Sequence, residues 1–456
     1  MAVIRRCAIV LVVSTWVTRG AWGAGPIPLR ESPRAGETTR VSTSLKANGL
    51  YQPASPPGAT AKDAPKSLAL RVETRLEFIE RMLTLDSRGR PTRSGRRVLR
   101  AGSAINGEVR PQSATLRPAV ALLIAEPRSE GVVVFSPLGP LTRSELELVQ
   151  GPGDPLALEG LLAVRPVEVS DHWKVGDSAA RALSSYDTIG SNGLEATLAT
   201  VDDAKATIRL KGEVRGSVLG GEGTMTFDGS YTFDRKSSRI SALSVERTET
   251  RTPGPVEAGL DVKSTLTVDR RGDEVPAELT DATLARLSLD TPDPARERLL
   301  LNTADGKSSL VHDRDWHIYW DDARLTVLKR LERGEVVAQC NLAKGPSAGK
   351  GRHQDLEQFR LDIRKGLGER FVQFLGSGAL DGDPAGHFRY KVGVQGRQGD
   401  VGVLWYYYLV ASPEGDQVVA TFTLASSRQK SFGDEDERLI KTFRWNSALD
   451  AADLGQ

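Results

Sequence analysis

The sequence predicts a mainly β chain: a large curved antiparallel sheet or half-barrel with inserted helices, followed by a smaller α+β unit. Three observations predict it. Leu68, Leu70, Val72, Thr74, Leu76 and Phe78 alternate with Ala69, Arg71, Glu73, Arg75 and Glu77, the period of two that marks a strand with one wet face. Similar runs continue to Val268 and make about ten strands, too many for a flat open sheet, so the sheet must curl, close or split. Beyond residue 300, strands alternate with amphipathic helical stretches.

The chain opens on Arg5 and Arg6, a mostly apolar run from Cys7 to Val17, and Ala21-Trp22-Gly23-Ala24. A basic start, a short apolar centre and small residues at the cut form a secretory signal. The run is about half the ~20 residues that span a bilayer. Cleavage after Gly23 places the small residues Ala21 and Gly23 at the key positions, whereas cleavage after Ala24 places Trp22 at one of them. Cys7 lies too early for a lipoprotein cut. The signal is therefore expected over 1–24, with export to the periplasm or the extracellular space, and no transmembrane segment is expected in the mature chain. Taking Arg5, Arg6 and Arg19 from a formal net charge of +2 leaves −1, which argues against nucleic acid as a partner. Of the two cysteines only Cys340 would remain, so the core must hold the fold without a disulfide. Cys340 reads as a buried strand residue rather than a nucleophile.

Residues 25–66 are rich in Pro, Ala, Ser and Gly and read as a linker, with a possible strand where Leu45 to Tyr51 surrounds the turn dipeptide Asn48-Gly49. An antiparallel β domain is expected over 67–275. Asn106-Gly107 is a second hairpin signal. Val120–Ile124 and Val132–Phe135 are apolar throughout and flank the polar turn 126–131, as strands buried on both faces do. Thr142 with Glu145 forms a capping box, and Leu141 with Leu146 a hydrophobic staple. Leu156 to Leu162 adds a turn or two of helix, and a short polar helix follows Trp173–Asp177, ending before the turn Asn192-Gly193. A meander of about five strands then carries Leu194 and Leu198; Ala206, Ile208 and Leu210; Met225, Phe227, Tyr231 and Phe233; Ile240 to Val245, with a phase shift that implies a bulge; and Leu260, Val262, Leu266 and Val268. Strand order over 40–270 resembles the half-barrel with helical lid of bacterial lipoprotein-carrier proteins.

Residues 276–300 are charged and Pro-containing and read as a linker; 301–446 form the second unit and 447–456 a tail. In that unit Leu356, Phe359 and Ile363 have helical spacing, strands fall at Phe388–Val394, Val401–Val410 and Val418–Leu424, and a final helix carries Leu439, Ile440 and Phe443 on one face. Trp316, the strand ending Gln339-Cys340-Asn341-Leu342, Phe388-Arg389-Tyr390, Trp405–Val410, Phe422 and Phe443 together resemble the PsbP-like α/β/α sandwich. The resemblance implies a small non-enzymatic module used in assembly or partner contact.

Candidate chemistry is sparse. His312 and His317 lie among Asp313, Asp315, Asp321 and Asp322, residue types that bind transition metals, but the spacing matches no named site and no metal is assigned. Asp381–Gly386 begins like a calcium loop, but the fifth ligand is Ala385 and the twelfth position is Val392. Gly345–Gly351 lacks the spacing of a phosphate loop, Gly220–Gly223 joins two strands rather than a strand and a helix, and neither Ser191 nor Ser377 sits in Gly-x-Ser-x-Gly. Arg88, Arg90, Arg93, Arg96, Arg97 and Arg100 form a stretch without acids; it could hold an anion or be a solvated loop. Trp405–Tyr408 could offer a sugar platform, with Trp405 and Tyr407 on one side of the strand and Tyr406 and Tyr408 on the other.

The sequence therefore reads as an exported, non-enzymatic binding or assembly protein without catalytic residues or cofactor, acting on an unknown protein partner. The alternative is a carrier holding a hydrophobic ligand or lipid in the β domain, and a hydrolase is the third reading. Inward positions such as Leu70, Val72, Leu210 and Phe227 discriminate: if they fill the interior, the carrier reading fails.

Overall fold

The computed structural model describes residues 25–53, 66–107, 112–287, 289, 293–380 and 386–446. The export signal, the linker centre 54–65, residues 381–385 of the calcium-like loop and the tail 447–456 lie outside the described residues.

The first half is mainly antiparallel strands: β1 (Thr38–Gln52), β2 (Leu68–Leu85), β3 (Pro91–Gly107), β4 (Gln112–Thr115), β5 (Leu122–Arg128) and β6 (Gly131–Phe135). The short β7 (Leu141–Thr142) leads into an insertion with α1 (Arg143–Val149), a 3-10 turn (Pro155–Leu161), β8 (His172–Lys174) and α2 (Asp177–Ser184). Then come β9 (Thr188–Asn192), β10 (Glu195–Val201), β11 (Lys205–Val218), β12 (Gly221–Asp234), β13 (Arg239–Arg251) and β14 (Gly259–Gly272). One sheet runs in the order β6-β5-β3-β2-β1-β14-β13-β12-β11-β10-β8, with β4 on β3 and β9 on β11.

Alternation puts the apolar half of each long strand on one face. Val41, Leu76 and Phe78 join Leu210, Phe227, Tyr231, Leu243, Leu266 and Val268 in one buried cluster with Leu146, Val149, Leu158, Leu161 and Leu183 of the insertion. The insertion is thus a lid packed onto the sheet. Its first helix starts as its sequence requires: Glu145 N donates to Thr142 Oγ1 at 3.2 Å and Thr142 N to Glu145 Oε2 at 2.8 Å, closing the capping box. The phase shift in β13 is a bulge, for Thr232 faces Ala242 while Phe233 faces Ile240.

The Asn48-Gly49 turn expectation is corrected. Both residues lie inside β1, a central strand between β2 and β14. A β-carbon on Gly49 would lie 2.1 Å from the Asp261 carbonyl oxygen, so the glycine serves close backbone approach rather than a turn. The arginine stretch, expected to be a loop if not an anion site, is the β2–β3 turn and the first half of β3.

The charged segment after β14 holds 3-10 turns and α3 (Asp281–Leu284), and buries Leu279 and Leu284 against Ile79 and Leu122. Beyond it lie β15 (Leu299–Asn302), β16 (Ser308–His312), β17 (Trp316–Asp321), β18 (Leu325–Glu332), β19 (Glu335–Lys344), α4 (Leu356–Leu367), β20 (Phe371–Ala379), β21 (Phe388–Gln398), β22 (Val401–Ala411), β23 (Gln417–Ala425), α5 (Gln429–Phe432), α6 (Glu435–Thr442) and β24 (Arg444–Trp445). A seven-stranded sheet runs β17-β18-β19-β23-β22-β21-β20. On one face α4 packs Phe359, Ile363 and Leu367 against Val392, Val394 and Trp405; on the other α5 and α6 pack Phe432, Leu439 and Ile440 against Cys340, Tyr408 and Phe422. These are the three layers that the PsbP-like resemblance implies. Trp405 and Tyr408 are buried, while Tyr406 and Tyr407, on opposite sides of the strand, stay partly exposed, so neither side offers the paired aromatic face that a sugar platform needs.

A four-stranded sheet, β24-β16-β15-β7, stitches the halves together through parallel pairing of β7 with β15.

Candidate functional site: a groove at the seam of the curled sheet

The two edges of the large sheet, β6 and β8, line one groove of about 1230 Å³. The β5–β6 turn (127–132) supplies one wall and Trp173 and Lys174 of β8 supply another. The insertion bridges the gap between the edges. Trp173 Nε1 and Tyr231 Oη both donate to the Leu161 carbonyl, at 2.9 and 2.6 Å, which pins the 3-10 turn to the sheet. From α2, Arg181 Nη1 donates to Ser129 O at 3.2 Å in the opposite edge hairpin. Leu156, Ala157 and Trp173, each partly exposed, give the groove apolar surface, with Leu29, Leu162, Val132 and Tyr186 buried in its wall, and Val164 stands fully exposed on its rim.

The base is ionic. Arg96 is 1% exposed. It donates from Nη1 and Nη2 to the two carboxylate oxygens of Asp154, each at 2.8 Å, and from Nε to Glu80 at 2.9 Å, and lies over the Phe78 ring at 4.8 Å. Burial opposes its charge, but Asp154 and Glu80 outweigh that and raise its pKa. Asp154 also caps the 3-10 turn by accepting from Leu156 N at 3.0 Å, so one arginine ties β3 and β2 to the lid. Burial raises the pKa of Glu159, with Glu31 adding to it, and burial raises that of Asp187 against the Leu219 amide.

The six sequence-predicted arginines do not converge. Arg90 pairs with Asp86 at 2.8 Å, Arg93 with Glu126 at 2.8 Å, Arg97 with Glu278 at 2.8 Å, and Arg96 is enclosed as described. Arg88 and Arg100 are exposed; Arg90 lines the groove.

His312 and His317 face the junction between the halves, where Arg143 Nη2 donates to the carbonyls of Arg314 and Trp316 at 2.7 and 3.0 Å. Burial, with a smaller contribution from Arg143, lowers the pKa of His312 to about 4 and of His317 to about 3. Among the described residues no group of three or more His, Cys, Asp or Glu side chains is placed to hold a metal. Cys340 is fully buried, and burial pushes its thiol pKa up. No helix among the described residues is long and apolar enough to cross a membrane.

Sequence reading missed the groove because its walls come from segments far apart in the chain. It also missed Ile27 and Leu29, which are buried in the core although they sit in a Pro-rich stretch; their only signal is the apolar alternation of two residues.

No family model matches the chain and no curated protein matches it significantly. Solved structures resemble parts of it. A protein of Bacteroides thetaiotaomicron VPI-5482 is 8% identical with a TM-score of 0.25, over 33% of this chain and 48% of that one. Lipovitellin, in a structure described for its lipid–protein interactions, is 7% identical with a TM-score of 0.30, over 54% of this chain and 26% of that one. Cyanobacterial PsbP from Synechocystis sp. PCC 6803 is 15% identical with a TM-score of 0.25, over 34% of this chain and 95% of that one. This chain thus spans less than half the length of the first two.

Proposed function

We propose that the chain is an exported, non-enzymatic binding or assembly protein of the bacterial envelope or extracellular space, and that a protein partner docks at the seam groove. The carrying observation is the groove itself: a large, preformed concavity where both sheet edges end, with apolar surface exposed at Val164 and several rim charges already paired inside the chain. Such a site gains from burying apolar area and needs few new ionic contacts. A photo-reactive residue at Val164 should give one discrete protein adduct in cells, and the same residue at Arg209, exposed on the outer face of β11, should give none. Equal labelling at both positions would contradict the reading.

The carrier reading has one observation in its favour. Leu68, Leu70, Val72, Ile105 and Leu260 are only partly buried and lie in register on the inner face at one end of β2, β3 and β14. Against it, Leu210 and Phe227 are at most 2% exposed and fill the centre. Lipid extracted from the purified chain and identified by mass spectrometry would favour the carrier. Anion binding by the arginine stretch, in the same proposal, falls to Arg88 and Arg100; unchanged heparin retention after charge reversal at both would remove it.

A further inference from the structure

The segment before β1 crosses the end of the curled sheet as an extended arm and is held as a bound peptide is held. Ile27 N donates to Val167 O at 2.9 Å and Val167 N to Ile27 O at 3.0 Å, one antiparallel ladder pair on the lid. The side chains of Ile27 and Leu29 enter the core. Glu31 reaches Arg270, whose side chain is 5% exposed, at 2.6 Å, and also accepts from Ile240 N at 2.9 Å. Ser32 N donates to Ser238 O at 3.1 Å. Pro28, Leu29 and Arg30 form part of the groove wall, so a partner entering the groove meets the arm.

We infer that this trough is a binding site for an extended polypeptide segment of a partner, apolar at its first and third positions and acidic at its fifth, with the chain's own arm as the resident occupant. The inference rests on the partner-binding reading above and names the partner's chemistry. Three observations carry it. A single ladder pair plus one amide bond gives the arm little backbone anchoring, and Pro28 has no N–H to lose. The recognition elements alternate, as a strand-like ligand requires. Departure of the arm takes away the Glu31 carboxylate and leaves Arg270 with the Ile240 carbonyl at 3.2 Å and the longer-range attraction of Glu80 and Asp154, a buried cation in want of a carboxylate. Arg270 then offers a charged, preformed receptor for an incoming carboxylate.

The test uses a fluorescent peptide of residues 25–33 and the full chain. Leu29→Ser loosens the resident arm. The peptide should bind this variant saturably, and bind the wild type at least about tenfold more weakly because the arm occupies the trough. A peptide carrying Glu31→Gln should lose about tenfold or more. No saturable binding to a Leu29→Ser chain that circular dichroism shows to be folded, or equal binding of the Glu31→Gln peptide, would overturn the inference. Should Leu29→Ser unfold, a photo-reactive group at the Leu29 position of the peptide decides on the wild type: adducts at Val167 or Ile240 support the trough, and adducts only elsewhere overturn it. Failure here with a persisting Val164 adduct sinks the inference alone; loss of the Val164 adduct with peptide binding intact sinks the groove reading alone.

Discussion

Arg96 and Asp154 meet through two parallel hydrogen bonds of 2.8 Å across 58 residues of chain, and this pair fastens the lid to the strand whose curl makes the groove. Removing one partner of a buried pair leaves the other charged and desolvated. Arg96→Ala strands both Asp154 and Glu80, and is expected to lower stability by about 3–5 kcal/mol in urea unfolding. A loss under about 1 kcal/mol, the range of exposed pairs, would show that the pair does not secure the lid.

Acid should loosen the junction between the halves. His312 has a pKa lowered by burial to about 4 from 6.5, so the unfolded chain takes up this proton first as pH falls. Its contribution is full above about pH 6.5 and is lost as pH approaches 4, at up to about 1.4 kcal/mol per pH unit. His317 acts in the same direction. Urea midpoints should fall from pH 6.5 to 4.5, and His312→Gln should flatten that slope; an unchanged slope would contradict the assignment.

The halves also meet where Gly220 faces Gly334. A β-carbon on Gly220 would lie 2.3 Å from the Gly334 carbonyl oxygen, and its φ of +84° disfavours any other residue. Gly220→Ala should cost more than about 1 kcal/mol and open the 218–221 and 332–335 turns to limited proteolysis. Unchanged cleavage rates would mean that the turns are not in obligatory contact.

Cys340 tests the core of the second sheet. A buried thiol with a raised pKa is a poor nucleophile. A thiol reagent should label it only at the rate of opening of the sheet, and label it fast in denaturant. Fast labelling of the folded chain would contradict its burial.

Local signals carried much of the fold. Alternation from Leu68 to Phe78 lies within β2, the Thr142–Glu145 capping box begins α1, and the phase slip at Ile240 is the bulge opposite Thr232. Where the determinant is distant, the sequence misleads or stays silent. Asn48-Gly49 carries turn chemistry, yet Gly49 answers to Asp261 on a strand more than 200 residues away. The arginine stretch looks unpaired because Glu126, Asp154 and Glu278 arrive from other elements. Edge strand β20 has exposed side chains, two glycines and two register shifts, so it shows no clean period. The groove is assembled from separate turns and has no contiguous motif at all.

The claim that a partner occupies the seam groove is tested most directly by native mass spectrometry of the chain recovered from the cell envelope, as wild type and as Val164→Arg. Val164 is fully exposed, so the arginine blocks the rim without disturbing the core. The account predicts a stoichiometric protein complex for the wild type and a bare chain for the variant. A chain that carries lipid and no protein in both forms would contradict it.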